Sequence, residues 1–531
     1  MDIREIENII DQEHDGHPVF NVSKEQAIYD LLTSFEEFCS SSVICSMLNP
    51  TAIGRITIYM DALNMALQWV EQKCDLDTSG ILYTDISEER YKQCISLLTD
   101  YAYPYSVICS GYISFSRKRF SATVDNNVVT FSIAENQNNS VWSDILREVN
   151  ESSLEELMGQ INPIKIAQAS DILQRNIKIE DGMLCYELSD SIITPFKEVA
   201  IEHWNATKTL PDTWEFDLFT LEEYKKVWVW LATLCYIHFF ANLTTQDKLI
   251  KIRNSTIIQS KESIVNYIMS ESGLAKECVE TILNYITFDP TRKNAEIMYQ
   301  PIVAFEKDML VIAPMLIIGS RPERNLLAVV ISKSDKEHFK EVNDLEDLMV
   351  QELENVIPKT DGICIIKRKK LGGQLPDIDF AILDRNSNAL LFCELKWFIA
   401  ADSTKEVYAR EDEITHGCSQ VESIMAYALG DKKRFFNQIF GNSEDGENID
   451  LFCCVVARHN IRTQHKFVPV IDLNRIKELF LTYSVNDVFY IIRNHKYELA
   501  LPDDAAITHQ EVKYGDYIFK IPAICFGTDP Q

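Results

Sequence analysis

The sequence predicts an α+β chain of several domains, with a mostly helical N-terminal region carrying small β elements and a C-terminal unit of αβββαβ order. Three observations predict it. The chain has 531 residues, more than one ordinary domain holds. Apolar residues recur at helical spacing through most of the first 290 positions. After residue 340 they regroup into short runs bounded by turn residues, the pattern of strands packed under helices.

Residues 1–295 read as the helical region, with a recognition or regulatory role. Ser23-Lys24-Glu25-Gln26 precedes an apolar-periodic run, and Gln26 stands three positions after Ser23 as a capping box requires. Ile53–Cys74 and Ser87–Tyr101 carry helical periodicity. From Gly111 to Ala134 the period changes. Tyr112, Ser114 and Ser116 alternate with Ile113 and Phe115, and Asp125-Asn126-Asn127 supplies a turn, so a β-hairpin is expected there. Helical patterning returns over 141–290, with a break at Pro211-Asp212. The longest apolar run, Val227–Ala241, falls short of the roughly 20 residues a membrane span needs. A buried helix is expected, with Trp228 and Trp230 in the core. Residues 296–340 read as a β-rich connection: Met298–Gly319 as two or three strands about a turn at Glu306-Lys307-Asp308, then the charged boundary Ser332–Glu341.

Residues 341–531 read as one α/β unit with a C-terminal β extension. A helix is expected over Leu345–Ile357 and strands over Ile363–Lys367, Phe380–Leu383 and Ala389–Leu395. Asp384-Arg385-Asn386-Ser387-Asn388 joins the last two. A long helix over Asp412–Leu429 and a strand over Asp450–Ala457 complete the series.

Composition narrows the function classes. With 46% hydrophobic residues there is ample core material, and 17 Gly and 16 Pro argue against long flexible linkers. The formal net charge is −29; residues 341–531 carry about −10, which leaves about −19 (−29 minus −10) for 1–340. Such a chain repels nucleic acid at long range, so any nucleic-acid binding rests on local basic patches, metal ions or a partner. None of the fourteen Cys forms a C-x-x-C pair, and Cys235, Cys364, Cys393, Cys453 and Cys454 lie in apolar runs. Buried reduced thiols and a cytoplasmic location are expected. The acidic start MDIREIENIIDQEHDG is unlike a signal peptide, and no membrane partner is expected. His14 and His17 are expected to be exposed, and His416 to be structural or on the surface. G-x-x-x-x-G-K-[ST], G-x-G-x-x-G and G-x-S-x-G are all absent.

The stretch that carries chemistry is LPDIDFAILDRNSNALLFCELKW, residues 375–397. Asp377 and Asp379 enter one strand, and Glu394 and Lys396 close the next. Positions i and i+2 of a strand share a face, so Glu394 and Lys396 point together while Leu395 points away. Neighbouring strands lie about 4.8 Å apart, which brings an Asp at 377 or 379 within reach. Two carboxylates and an ammonium among LLFC and WF are costly unless a ligand uses them. A hard divalent cation, Mg²⁺ or Mn²⁺, takes one or two carboxylates and keeps several waters. The lysine then either orients and helps deprotonate an attacking water or stabilises charge developing on a phosphate. These are the parts of a metal-dependent phosphodiesterase.

Pro376-Asp377 followed by Glu394-Leu395-Lys396, in this order of elements, resembles the PD-(D/E)XK nuclease superfamily over roughly residues 340–460. The resemblance implies a restriction-endonuclease-like core and a metal-dependent endonuclease. The literal motif selects Asp377, seventeen positions before Glu394; many relatives place the metal ligand against the apolar strand core, which favours Asp379 at fifteen, with Asp377 in support. The family often adds an acid from the preceding helix, here Glu352, with Glu354 and Glu346 behind it, and a polar residue from the following helix, here Gln420. The implied metal ligands are Asp379, Glu394, Asp377 and Glu352.

Basic clusters surround the proposed site. Lys367-Arg368-Lys369-Lys370 ends the first core strand, Lys432-Lys433-Arg434 follows the long helix, and Arg458, His459, Arg462, His465 and Lys466 follow the last strand. Lys367 to Lys370, Arg458 and Arg462 are the expected phosphate contacts. DNA is preferred to RNA as the expected substrate, and the resemblance and chain size imply a restriction or antiphage role. A homodimer, or a partner protein bound through the N-terminal region, is the expected assembly. The competing readings are an inactive nuclease-fold scaffold or binding module, which the acidic charge favours, and an RNA nuclease.

Overall fold

The computed structural model describes residues 2–46, 54–74, 85–134, 163–216, 218–292, 295–305, 308–333, 340–401, 403–441, 448–459, 465, 467–497 and 505–526. Over these the chain is a mixed α+β protein, mostly helical, with four separate sheets.

Helices α1 (Ile3–Ile10), α2 (Lys24–Ser46), α3 (Gly54–Lys73) and α4 (Glu88–Ser96) open the chain, and a π-helical segment, Leu97–Ala102, leads into α5 (Tyr103–Ser116). Ser23 Oγ accepts from the Gln26 amide at 3.3 Å, the capping bond its spacing predicts. The hairpin predicted from Gly111 is shorter than expected: β1 (Phe120–Asp125) pairs with β2 (Val128–Ile133), and residues 111–116 belong to α5. The serines alternate as they would in a strand, but their hydroxyls turn back onto helix carbonyls, Ser114 onto Ser110 at 2.9 Å and Ser116 onto Ile113 at 2.8 Å. His14 and His17 are buried rather than exposed. His14 stacks on Trp69 at 3.6 Å between ring centroids, and burial lowers its pKa to about 4.

The helical region continues with α6 (Pro163–Asn176), the small hairpin β3 (Lys178–Glu180) and β4 (Met183–Cys185), α7 (Asp190–Thr207) and α8 (Leu221–Leu243). Pro211-Asp212 falls between α7 and α8, as expected. Thr220 and Glu223 cap α8 reciprocally. By length and composition α8 alone among the described helices could cross a membrane, but 78% of its apolar window is buried inside the protein, Trp228 and Trp230 included. It is the central helix of the largest apolar core. After α9 (Lys248–Arg253) come β5 (Ile257–Ser260), α10 (Lys261–Ser272), α11 (Lys276–Tyr285), β6 (Thr287–Phe288), β7 (Ile302–Phe305) and β8 (Met309–Ile312), whose strands form one sheet in the order β5-β8-β7-β6. Residues 314–318, expected as strand, are the short helix α12 (Pro314–Ile318), started by Pro314 and a Glu36 carboxylate that takes the Met315 amide at 2.9 Å. The turn at Glu306-Lys307 and most of the boundary Ser332–Glu341 lie outside the described residues; α13 (Pro322–Lys333) and α14 (Lys340–Val356) flank that boundary.

The sheet that positions the site has the order β13-β12-β11-β10-β9. Its strands are β9 (Ile363–Lys369), β10 (Ile378–Asp384), β11 (Ala389–Lys396), β12 (Asp450–Ala457) and β13 (Val470–Asp472). β9, β10 and β11 form an antiparallel meander, and β12 and β13 add parallel. The parallel step needs a crossover, supplied by α15 (Thr404–Gly430) and α16 (Lys432–Phe440). Both faces are covered, so the strand cores are apolar throughout. Phe380, Ile382, Leu391, Cys393 and Leu395 pack under α14, α17 (Leu473–Thr482) and α18 (Val485–Arg493). Ala381, Leu383, Leu390 and Phe392 pack under α15 and α16. The last two strands, β14 (Ala505–Tyr514) and β15 (Tyr517–Phe526), do not join this sheet. β15 runs parallel to β2, with Phe519 opposite Val129, so the chain's end closes a sheet begun by the N-terminal hairpin.

Candidate active site

Strand parity sets the site. Phe380 and Leu395 face α14, so Asp379, Glu394 and Lys396 face α15, on two adjacent strands. Asp379 Oδ2 accepts from the Leu395 amide at 2.9 Å, which ties the β10 carboxylate to the middle of Glu394-Leu395-Lys396. Lys396 Nζ donates to Glu394 Oε1 at 2.8 Å and lies 3.5 Å from Gln420 Oε1 on α15. The structure therefore brings Asp379, Glu394, Lys396 and Gln420 together.

The helix α14 contributes a different acid from the one expected. Glu352 is turned away, holding Arg458 at 2.9 Å and Lys477 at 2.6 Å. Burial works against its charge, but Lys477 and Arg458 bring its pKa below the usual value. Glu346 is the acid at the site, and the field of Asp379 and Lys396 reaches its carboxyl. Six residues separate the two, and at about 100° per residue that is a third of a turn around the helix, enough to choose a different neighbour. Asp377 is also not brought in: it is exposed, on the loop before β10.

Crowding of acids in an apolar layer shifts their titration. Only 7% of the Glu394 side chain is exposed; burial, then Asp379, raises its pKa to about 7 against the pull of Lys396. Burial likewise raises Asp379 and Glu346. For Lys396 burial favours the neutral amine, but Glu394, Glu346 and Asp379 outweigh it and keep the ammonium.

Of the basic cluster at the end of β9, Arg368 alone reaches the acids of the site. Lys367 pairs with Glu354 at 2.9 Å. Arg368 reaches Glu346 at 2.9 Å, Asp347 at 3.1 Å and Asp379 at 3.3 Å. Lys369 is half-buried and Lys370 exposed. Arg458 is tied to Glu352, and Arg462 and Lys466 lie outside the described residues. His416 is exposed, as expected.

Gly417 was not singled out from the sequence, yet it lies directly against Lys396 and Glu394. A Cβ there would stand 3.0 Å from Lys396 Cε and 3.4 Å from Glu394 Cγ. Its signal was present: a lone Gly inside a long helical pattern costs about 1 kcal/mol relative to Ala and asks for a packing reason.

The donor set suits a hard cation, with buried carboxylate oxygens from three elements and no thiolate or imidazole among them. Among the described residues, no three His, Cys, Asp or Glu side chains are already gathered as a metal-holding group. Arg368 lies between Glu346 and Asp379, where such a group would close. No family model, curated protein or solved structure matches the chain.

Proposed function

We propose that the chain is a Mg²⁺- or Mn²⁺-dependent nuclease of the PD-(D/E)XK type, acting on DNA in preference to RNA. The observation that carries the reading is the convergence of Asp379, Glu394 and Lys396 on one face of two paired strands, beneath a helix that has no side chain at Gly417. The sequence of α14, β9 to β11, α15 and β12 follows the order that the resemblance implies.

In this reading Asp379 and Glu394 hold the cation, with Glu346 completing the acidic wall. When bound, the cation would supply Lewis acidity and neutralise charge at the scissile phosphate. The chain's own residues do the rest. In the metal-free site the surrounding carboxylates keep Lys396 protonated, and as an ammonium its Nζ would stabilise negative charge developing on a phosphate oxygen. Gln420 and Glu394 fix the direction of that amine. Without the cation, burial and Asp379 raise the Glu394 pKa to about 7, so holding the cation would require Glu394 to give up its proton.

The test is cleavage of supercoiled DNA, single-stranded DNA and RNA, each with and without Mn²⁺, by wild type, Glu394→Ala and Lys396→Ala. Metal-dependent cleavage by wild type, lost in both variants while their circular dichroism is unchanged, is expected. Equal cleavage by wild type and Lys396→Ala would end the proposal. Mn²⁺ uptake without cleavage of any of the three would leave the binding-module reading in its place.

A further inference from the structure

Arg368 stands out among the charged groups near the site. It comes from β9, where the flanking pairs Ile378–Lys369 and Phe380–Lys367 place it beside Asp379. Its backbone φ is +49°, in the left-handed region that non-glycine residues avoid at a cost of about 1–2 kcal/mol. Strain of this kind persists where the surroundings over-determine it. The surroundings here are carboxylates: Glu346, Asp347 and Asp379 all lie within 3.3 Å of the guanidinium. The side chain is still 35% exposed, so it has a route out to solvent.

Charge counting gives this placement a meaning. Glu346, Asp347, Asp379 and Glu394, when ionised, carry −4, and Arg368 with Lys396 return +2, leaving −2. With Arg368 withdrawn the balance is −3, an excess that a divalent cation in its place would reduce to −1. The guanidinium reaches the Glu346 and Asp379 oxygens that a cation would need. Both cannot hold them at once.

We infer that Arg368 is the resident counter-ion of the acid cluster: it holds the cation's place while the site is metal-free and swings out to grip a substrate phosphate when a divalent cation enters. The inference rests on the nuclease reading and adds a gate to it. Such a gate suits a cell's own nuclease, because in the free enzyme Arg368 and Lys396 partly neutralise the cluster and cation entry frees the group that clamps the strand. The two halves pull in opposite directions. Removing the guanidinium removes a competitor for the cation and, at the same time, a ligand for phosphate.

The experiment titrates Mn²⁺ alone into full-length wild type, Arg368→Gln, Arg368→Asn and Glu394→Ala by calorimetry. Duplex binding is then measured in Ca²⁺ by fluorescence anisotropy. Asn tolerates the left-handed backbone, so a fold lost in Arg368→Gln should be kept in Arg368→Asn. Both Arg368 variants should bind Mn²⁺ about tenfold or more tightly than wild type, since one charge-assisted hydrogen bond no longer competes. Both should bind the duplex more weakly by a similar factor. Wild-type Mn²⁺ affinity in both variants, or weaker, overturns the gate but leaves the nuclease reading standing. Unchanged duplex affinity overturns the phosphate grip. Failure of wild type and both Arg368 variants to take up more Mn²⁺ than Glu394→Ala overturns the metal site itself, and the gate with it.

Discussion

Gly417 on α15 lies so close to Lys396 on β11 that an added Cβ would meet the lysine Cε at 3.0 Å. That contact separates stability from function. Ala is favoured over Gly inside a helix by about 1 kcal/mol, and the atom displaced is the mobile end of a lysine. Gly417→Ala should therefore melt within a few degrees of wild type. Cleavage should fall by about 10²-fold, the effect of misplacing a catalytic group by about 1 Å. Thermal melts and single-turnover rates on the same preparation check both halves, and a fully active Gly417→Ala would show that the lysine's position is not critical.

Proton linkage gives a second expectation. Burial and Asp379 push the Glu394 pKa in the folded protein up to about 7, from 4.5 for a free glutamate. Between those pH values the folded state holds more protons at this group than the unfolded chain does. By linkage, the contribution of Glu394 to stability falls as pH rises from about 4.5 to about 7. A cation needs the ionised carboxylate, so Mn²⁺ uptake near pH 6 should release protons, and affinity should climb with pH until about 7. Calorimetry in buffers of different ionisation enthalpy measures the release. In Glu394→Gln the metal-free protein should lose that pH slope and melt no lower than wild type at pH 8, and Mn²⁺ should no longer raise its melting temperature.

The two acids of α14 can be told apart by substitution. Glu346 faces the cluster, whereas Glu352 bridges Arg458 and Lys477. Glu346→Gln should weaken Mn²⁺ binding by about tenfold, in line with one lost charge-assisted ligand. Glu352→Gln should leave Mn²⁺ affinity unchanged and cost about 1 kcal/mol of stability, the scale of a partly exposed ion pair. A larger loss of Mn²⁺ affinity in Glu352→Gln than in Glu346→Gln would reverse the assignment.

Which parts of the site were legible follows from the periods involved. A strand repeats every two residues, so Glu394 and Lys396 must share a face; because both faces of the sheet are apolar, the runs FAIL and LLFC leave the register, and with it the choice between Asp377 and Asp379, open. A helix offers no such binary choice. In α14 the buried positions Leu345, Met349, Val350 and Leu353 define an arc; Glu346 falls between its members and Glu352 just beyond its edge, so the pattern alone does not choose between them. Which of the two meets the sheet's acids depends on Arg458 and Lys477, more than 100 positions away, which hold Glu352. The serines of α5 are ambiguous for a related reason. Their hydroxyls are satisfied within the helix, which a polar–apolar alternation does not reveal. The partnership of β2 with β15 joins residues nearly 400 apart, and neither hairpin names its neighbour.

The N-terminal region holds the site helix at its start. Arg324, at the beginning of α13, donates to the Ala400 carbonyl at 3.1 Å and to Glu406 at 2.9 Å. Ala400 lies four residues beyond Lys396, and Glu406 lies in the first turn of α15. Arg119 and Arg117 grip Glu411 and Asp412 further along the same helix. Arg324 is 7% exposed and Glu406 31%, so the pair stands between a buried and a surface ion pair. Arg324→Ala should cost about 1–3 kcal/mol of stability on that scale. The loss should also reach Lys396, because Gly417 and Gln420 ride on the helix that Glu406 begins. Turnover should fall while Mn²⁺ affinity, set by carboxylates on β10, β11 and α14, stays near wild type. Hydrogen exchange should speed up over 404–416 in the variant. Faster exchange confined to 322–333, with turnover intact, would mean that the N-terminal region rests against the site helix without positioning it.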